Sequence, residues 1–166
     1  MSQTIDDFRN FFKVDKEKKD FSIKDAISTV LSMQSGVLKN NNINIEITGS
    51  EFIFYGLKSE FQQVILNIIT NAKDALLQNN IKNPTIKIDI DKQSKTISIS
   101  DNAGGIPKDI IDRVFEPYFT TKEQGKGTGI GLYMSKMIIE ENMQGALEVS
   151  NTNNGAKFSI IFRDAL

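Results

Sequence analysis

The chain has no histidine, no cysteine and no tryptophan among its 166 residues, and each absence removes a class of chemistry. Without histidine there is no Ser-His-Asp triad, no imidazole base and no His-ligated metal, so any reaction must run on carboxylates, amides, lysines, hydroxyls or a bound cofactor. Without cysteine there are no disulfides, thiolate nucleophiles or Cys-held zinc, which fits a reducing compartment and a cytoplasmic setting. No run approaches the roughly 18 apolar residues of a membrane span, and the opening MSQTIDDFRNFF lacks the apolar core of a signal peptide, so a soluble segment without membrane contact is expected. Neither sign of charge dominates. Twenty Lys plus Arg against 21 Asp plus Glu, net −1, leave no broad attraction for nucleic acid or anionic lipid. What remains is 39% hydrophobic and 25% charged, the profile of one globular domain with a core and an appendage.

Along the chain, Ile5, Phe8, Phe11 and Phe12 have helical spacing within residues 2–14. Asp15 to Asp20 then form a charged run that reads as a linker or a frayed helical end. Ser22 is a candidate N-cap for a helix from about Ile23 to Leu38, with Gly36 weakening its last turn. Ile43, Ile45 and Ile47 alternate as in a strand, and Phe52 to Tyr55 form a second. A helix opened by Ser59 and Glu60 carries a broad apolar stripe of Phe61, Val64, Ile65, Ile68, Ile69, Ala72 and Leu76. Two hairpins are predicted, one from Ile86 to Ile99. The other runs from Ala146 to Phe162 and turns at Asn154-Gly155, a dipeptide suited to positive φ. Between them lie a Gly- and Thr-rich loop and a helix from about Ile130 to Asn142. This order predicts an α+β fold, a two-layer sandwich with one mixed sheet covered by helices on one face.

Four segments could carry chemistry. On the helix from 59 to 79, Asn67, Asn71 and Asp74 fall within about 60° of one another beside the apolar stripe, where amide and carboxylate oxygens suit Mg²⁺. Asp101-Asn102-Ala103-Gly104-Gly105-Ile106-Pro107 follows a strand; a carboxylate there can accept from an exocyclic amine, and paired glycines let backbone approach a flat ligand. Gly125 to Leu132 precedes a helix and can cradle an anion with backbone N–H groups, although it is neither a P-loop nor a dinucleotide fingerprint. Phe115-Glu116-Pro117-Tyr118-Phe119 places three aromatics in a polar, Gly-rich stretch, as a lid would. Each segment also has an ordinary reading, respectively solvated or capping amides, a turn, a flexible connection and core aromatics.

The order of the four segments resembles the N, G1, F and G2 boxes of sensor histidine kinases, over roughly residues 23–163. The resemblance implies the histidine-kinase/gyrase-type ATP-binding fold and a kinase that uses ATP and Mg²⁺. Asn71 is then similar to the magnesium-binding asparagine, with Asn67 one turn away as its helper near the phosphates. Asp101 is similar to the carboxylate that reads the adenine amine, and Gly105 to the glycine beneath the ring, with Ile106 beside it. Backbone at Gly127, Gly129 and Gly131 would line the triphosphate with Thr128 and Leu132, and Thr120, Thr121 and Lys122 would belong to a mobile lid. Asn67, Asn71 and Lys122 would take part in the transfer.

Two departures stand out. Ala103 occupies the usual first glycine of the G1 box, and Asp74 stands where many members carry a phosphate-contacting basic residue, a role that Lys73, Lys122 or Lys126 could fill. In the wider superfamily the position of Asn67 holds a glutamate that activates water; an amide cannot take that proton, which favours a kinase over a hydrolase. The expected organisation is a helical remnant of the dimerisation and phosphoacceptor bundle at 1–14, a linker at 15–22 and a catalytic ATP-binding domain at 23–166. Expected partners are ATP or ADP, a His-containing bundle, a response regulator and a second copy through residues 2–14. A nucleotide-responsive binding module and a conformational ATPase remain as alternatives.

Overall fold

The computed structural model describes residues 17–119 and 130–163. The helix expected at 2–14 lies outside them. Strand β1, Lys19–Ser22, pairs antiparallel with β3, Ile53–Gly56, in a two-stranded ribbon. Lys19 to Ser22 are therefore not a linker. The charged side chains of this stretch are exposed on the ribbon while Phe21 turns inward, onto Phe54 with ring centroids 6.1 Å apart and onto Phe61 at 5.7 Å.

Ser22 caps the following helix α1, Ile23–Met33, as expected; its Oγ accepts from the Asp25 N–H at 3.0 Å. Glu51 completes the cap from the other side of the ribbon, accepting from Ser22 Oγ at 2.6 Å and from the Lys24 N–H at 3.1 Å. The helix expected to run to Leu38 breaks at Gln34 (φ −96°, ψ 4°) and resumes as α2, Ser35–Asn40, so the interruption comes before Gly36.

A five-stranded mixed sheet follows, with order β2-β4-β5-β7-β6. It comprises β2, Asn44–Gly49, β4, Thr85–Asp91, β5, Thr96–Asp101, β6, Gly145–Asn151, and β7, Ala156–Phe162. Only β2 and β4 are parallel; the other neighbours run antiparallel. The long helix α3, Lys58–Gln78, packs its apolar stripe on β4 and β5. Phe61, Ile65, Ile68 and Leu76 are fully buried there with Ile86, Ile88, Ile90, Ile97 and Ile99. Each such aliphatic side chain contributes about 1.5–3 kcal/mol on leaving water. Lys87, Asp89, Ser98 and Ser100, at the alternate positions, face away from the helices.

A short helix α4, Lys108–Ile111, follows the first hairpin, and α5, Gly131–Met137, continues as a π-helical turn over Ile138–Asn142. The last predicted helix thus spans its expected range but widens over its second half. The turn of the second hairpin departs from expectation in kind. Residues 152–155 connect the strands with Thr152 N–H donating to the Gly155 carbonyl at 2.8 Å, and none of them adopts positive φ.

Candidate nucleotide-binding site

Strand alternation explains where Asp101 points. In β5, Ile97 and Ile99 face the helices, so Asp101, two residues on, faces the same layer at the end of the sheet. Its Oδ1 accepts from the Ala103 N–H at 3.0 Å and from the Ala156 N–H at 3.3 Å. Burial pushes its carboxyl above the ordinary aspartate range, against the opposing effect of those two backbone donors. Oδ2 carries no such bond among the described residues, which leaves one acceptor for a ligand.

The loop after Asp101 is held by amide side chains. Asn102 accepts from the Thr85 N–H at 2.9 Å and donates to the Asn83 carbonyl at 3.0 Å. Asn79, just past the end of α3, donates to the Ala103 carbonyl at 2.7 Å. Ala103 is buried with an unexceptional backbone, so this departure from the usual glycine is accommodated without strain. The true requirement for glycine falls on Gly104 (φ +98°) and Gly105 (φ +88°). Asn151 reaches across from β6 to bond both backbone groups of Ile106, and the Gly104 N–H donates to the Asn154 carbonyl at 2.9 Å. Gly155 lies so close to Asp101 that an added Cβ would sit 1.7 Å from its carbonyl oxygen. Asn79, Asn151 and Gly155 were not singled out as site residues. The sequence signal was present in the run Asn151-Thr152-Asn153-Asn154-Gly155, which reads as turn chemistry until the fold sets it beside residues 101–106.

Midway along α3, the carboxamide of Asn67 is engaged with α5. Its Nδ2 donates to the Gly131 carbonyl at 3.1 Å and to Ser135 Oγ at 3.0 Å, and its Oδ1 accepts from Gln63 Nε2 at 3.1 Å. Ser135 Oγ in turn donates to the Gly131 carbonyl at 2.8 Å. Asn67, expected near the phosphates, is thus the tie between α3 and the first turn of α5. Asn71 is half-buried one turn further along, and Asp74 beyond it pairs with Lys73 at 3.4 Å. From Asn67 to Asn79 the chain rises about 18 Å, so one rigid element joins the start of α5 to the loop after Asp101.

Phe115 packs edge-on against Phe158, centroids 6.1 Å apart, beneath the Lys136 ammonium at 4.7 Å. Phe119 lies under Arg113 at 4.7 Å, whereas Tyr118 is 77% exposed at φ +66°. Of the three aromatics, only Phe115 joins the core's edge. Leu132 and Ile106 also border the core. Thr120, Thr121, Lys122, Gly127, Thr128 and Gly129 lie outside the described residues.

A profile of the family described as histidine kinase-, DNA gyrase B- and HSP90-like ATPases matches residues 56–166. The chain belongs to this ATPase family. The match includes Asn67, Asn71, Asp101 and both glycine segments. Among the family's members, the two-component sensor PprA of Pseudomonas aeruginosa is 32% identical over 142 residues, 81% of this chain and 15% of that protein. Sporulation kinase A of Bacillus subtilis is 32% identical over 148 residues, 87% of this chain and 24% of its own length. The chain therefore spans a quarter or less of these two proteins. The solved catalytic domain of histidine kinase ThkA superposes with a TM-score of 0.75 at 25% identity, covering 88% of this chain and 95% of that one. The chain thus has the fold of a histidine kinase catalytic domain, a mixed sheet with helices.

Proposed function

We propose that the chain is the catalytic ATP-binding domain of a two-component sensor histidine kinase and transfers the γ-phosphoryl group of ATP to a histidine on another segment or chain. The observation that carries the nucleotide reading is Asp101, a half-buried carboxylate with one oxygen held by two backbone donors and the other available to an exocyclic amine. Gly105 would lie beneath the purine and Ile106 at its side. Gly127, Gly129 and Gly131 would line the triphosphate with Thr128 and Leu132, under a lid containing Thr120, Thr121 and Lys122.

The donor set fits a magnesium ion held mostly by phosphates. Asn71 offers an amide oxygen, Asn67 retains a second lone pair on Oδ1, and no cluster of three Asp or Glu residues that could cage a metal occurs among the described residues. Bound there, Mg²⁺ would neutralise charge on the β- and γ-phosphates. Asn67 keeps the first turn of α5 against α3. It cannot abstract a proton, in keeping with a reaction that delivers phosphate to a nucleophile needing no prior deprotonation. In that transfer the acceptor nitrogen's lone pair forms the P–N bond, the bond from the γ-phosphorus to the bridging oxygen breaks, ADP leaves, and the imidazolium proton passes to solvent.

The ribbon strand extends the proposed ATP-binding domain to Lys19. Residues 1–14 are proposed as part of the acceptor bundle and as a contact between two copies, and a response regulator as the next phosphate acceptor. No helix among the described residues is long and apolar enough to cross a membrane, and a cytoplasmic site of action is part of the same proposal.

The experiment is calorimetry with ATP and GTP in the presence of Mg²⁺. A hydrogen bond to a charged acceptor is worth about 1.5–3 kcal/mol, so Asp101→Ala is expected to weaken ATP binding about 10- to 150-fold, while GTP binds the unsubstituted chain poorly. Equal affinities for ATP and GTP would remove Asp101 from this role.

A further inference from the structure

We propose that Asn151 is a positioning residue for purine recognition, its carboxamide standing in for a strand neighbour of Ile106 and so fixing the Gly104–Gly105 turn on which an adenine ring would rest. The inference rests on the nucleotide reading given above. Strand β6 ends at Asn151, where its backbone still pairs with Ala156, and from there the side chain crosses to the loop. Its Oδ1 accepts from the Ile106 N–H at 2.8 Å and its Nδ2 donates to the Ile106 carbonyl at 2.7 Å. A neighbouring strand would offer the same one acceptor and one donor.

The two residues before Ile106 need such an anchor. Gly104 and Gly105 are both left-handed, and glycine populates that region and its mirror about equally, so the turn has little shape of its own. The fit is close from the other side too: a Cβ on Gly105 would meet Asn151 Oδ1 at 3.0 Å and the Gly155 carbonyl at 3.3 Å. The same hairpin end presents the Ala156 N–H to Asp101 and the Asn154 carbonyl to the Gly104 N–H. One short stretch, 151–156, therefore sets both the carboxylate that would read the amine and the glycine that would underlie the ring. Asn151 is itself exposed, so water readily replaces its hydrogen bonds, and its loss falls on loop orientation more than on global stability.

The test is calorimetry with ADP, GDP and inorganic tripolyphosphate on the full chain and on Asn151→Ala and Asn151→Asp; the second variant keeps the acceptor but turns an oxygen toward the Ile106 carbonyl. Both are expected to lose ADP affinity about 10-fold and to discriminate less between ADP and GDP, with tripolyphosphate affinity unchanged and the melting temperature within about 2 °C. Unchanged ADP affinity and discrimination overturns the proposal. So does a fall in melting temperature with ADP and tripolyphosphate weakened together, the signature of a merely structural residue. If neither variant folds, hydrogen exchange on the unsubstituted protein decides, the Ile106 amide being expected to be protected without nucleotide and its exchange at the free-chain rate overturning the proposal. Failure of the unsubstituted chain to bind ADP at all removes the nucleotide reading and, with it, this inference.

Discussion

At Gly155 an added Cβ would fall 1.7 Å from the Asp101 carbonyl oxygen and 2.9 Å from its Oδ1, whereas at Gly131 it would meet only Asn67 atoms at 3.6–3.9 Å. The two glycines have different reasons to be there. Gly155→Ala is expected to cost about 1–3 kcal/mol or more in chemical denaturation, and Gly131→Ala to stay within about 1 kcal/mol. Equal effects would mean that the close approach at Asp101 is not rigid. The carboxylate beside it makes the opposite trade. Because burial raises its pKa above the unfolded value, the native state holds more protons than the unfolded chain between the two values, and stability falls as pH rises through that window. Asp101→Asn keeps an oxygen for the two backbone donors and removes the buried charge. It is expected to melt higher at neutral pH, with the gain shrinking as pH drops below the native pKa of Asp101, while ATP binding weakens. A gain that grows on acidification would reverse the sign of the shift. The place of Asp101 at the end of a strand was legible in the sequence because Ile97 and Ile99 alternate before it and the glycine pair follows; the contacts of Gly155 and Asn151 were not, since they reach 54 and 45 residues away in the chain.

Among the elements, α3 carries most of the organisation. Its apolar stripe was readable because seven buried apolar positions recur at helical spacing, and so were the alternating strands of both hairpins. The ribbon strand β1 was not, because a strand of four residues with a single buried side chain has no period to read, and its pairing partner lies more than thirty residues on. Nor was the amide tie between α3 and α5, since spacing shows that Asn67 and Asn71 share a face but not what that face meets. The tie predicts its own test. Asn67→Asp removes both donors and sets a carboxylate against the Gly131 carbonyl, so amide exchange across Gly131–Met137 should quicken about 10-fold or more, with Asn67→Ala milder. Unchanged protection in both would show that apolar packing of α5 suffices without Asn67.

For the whole molecule, the layered fold places a rigid helix between the loop after Asp101 and the start of α5, and the residue that ties that helix to α5, Asn67, is an amide rather than a base. In the proposed transfer, the lack of histidine, first a statement about excluded chemistry, becomes a division of labour: the acceptor would lie on another segment or chain. The direct measurement is incubation of the chain with γ-labelled ATP, Mg²⁺ and a histidine-containing dimerisation bundle, followed by separation of acid-labile phosphate on the bundle from free phosphate. The account predicts label on the bundle histidine, no label on this chain, only slow release of free phosphate, and loss of transfer in Asn71→Ala with ADP binding largely kept. Rapid phosphate release by the chain alone, or undiminished transfer by Asn71→Ala, would contradict it.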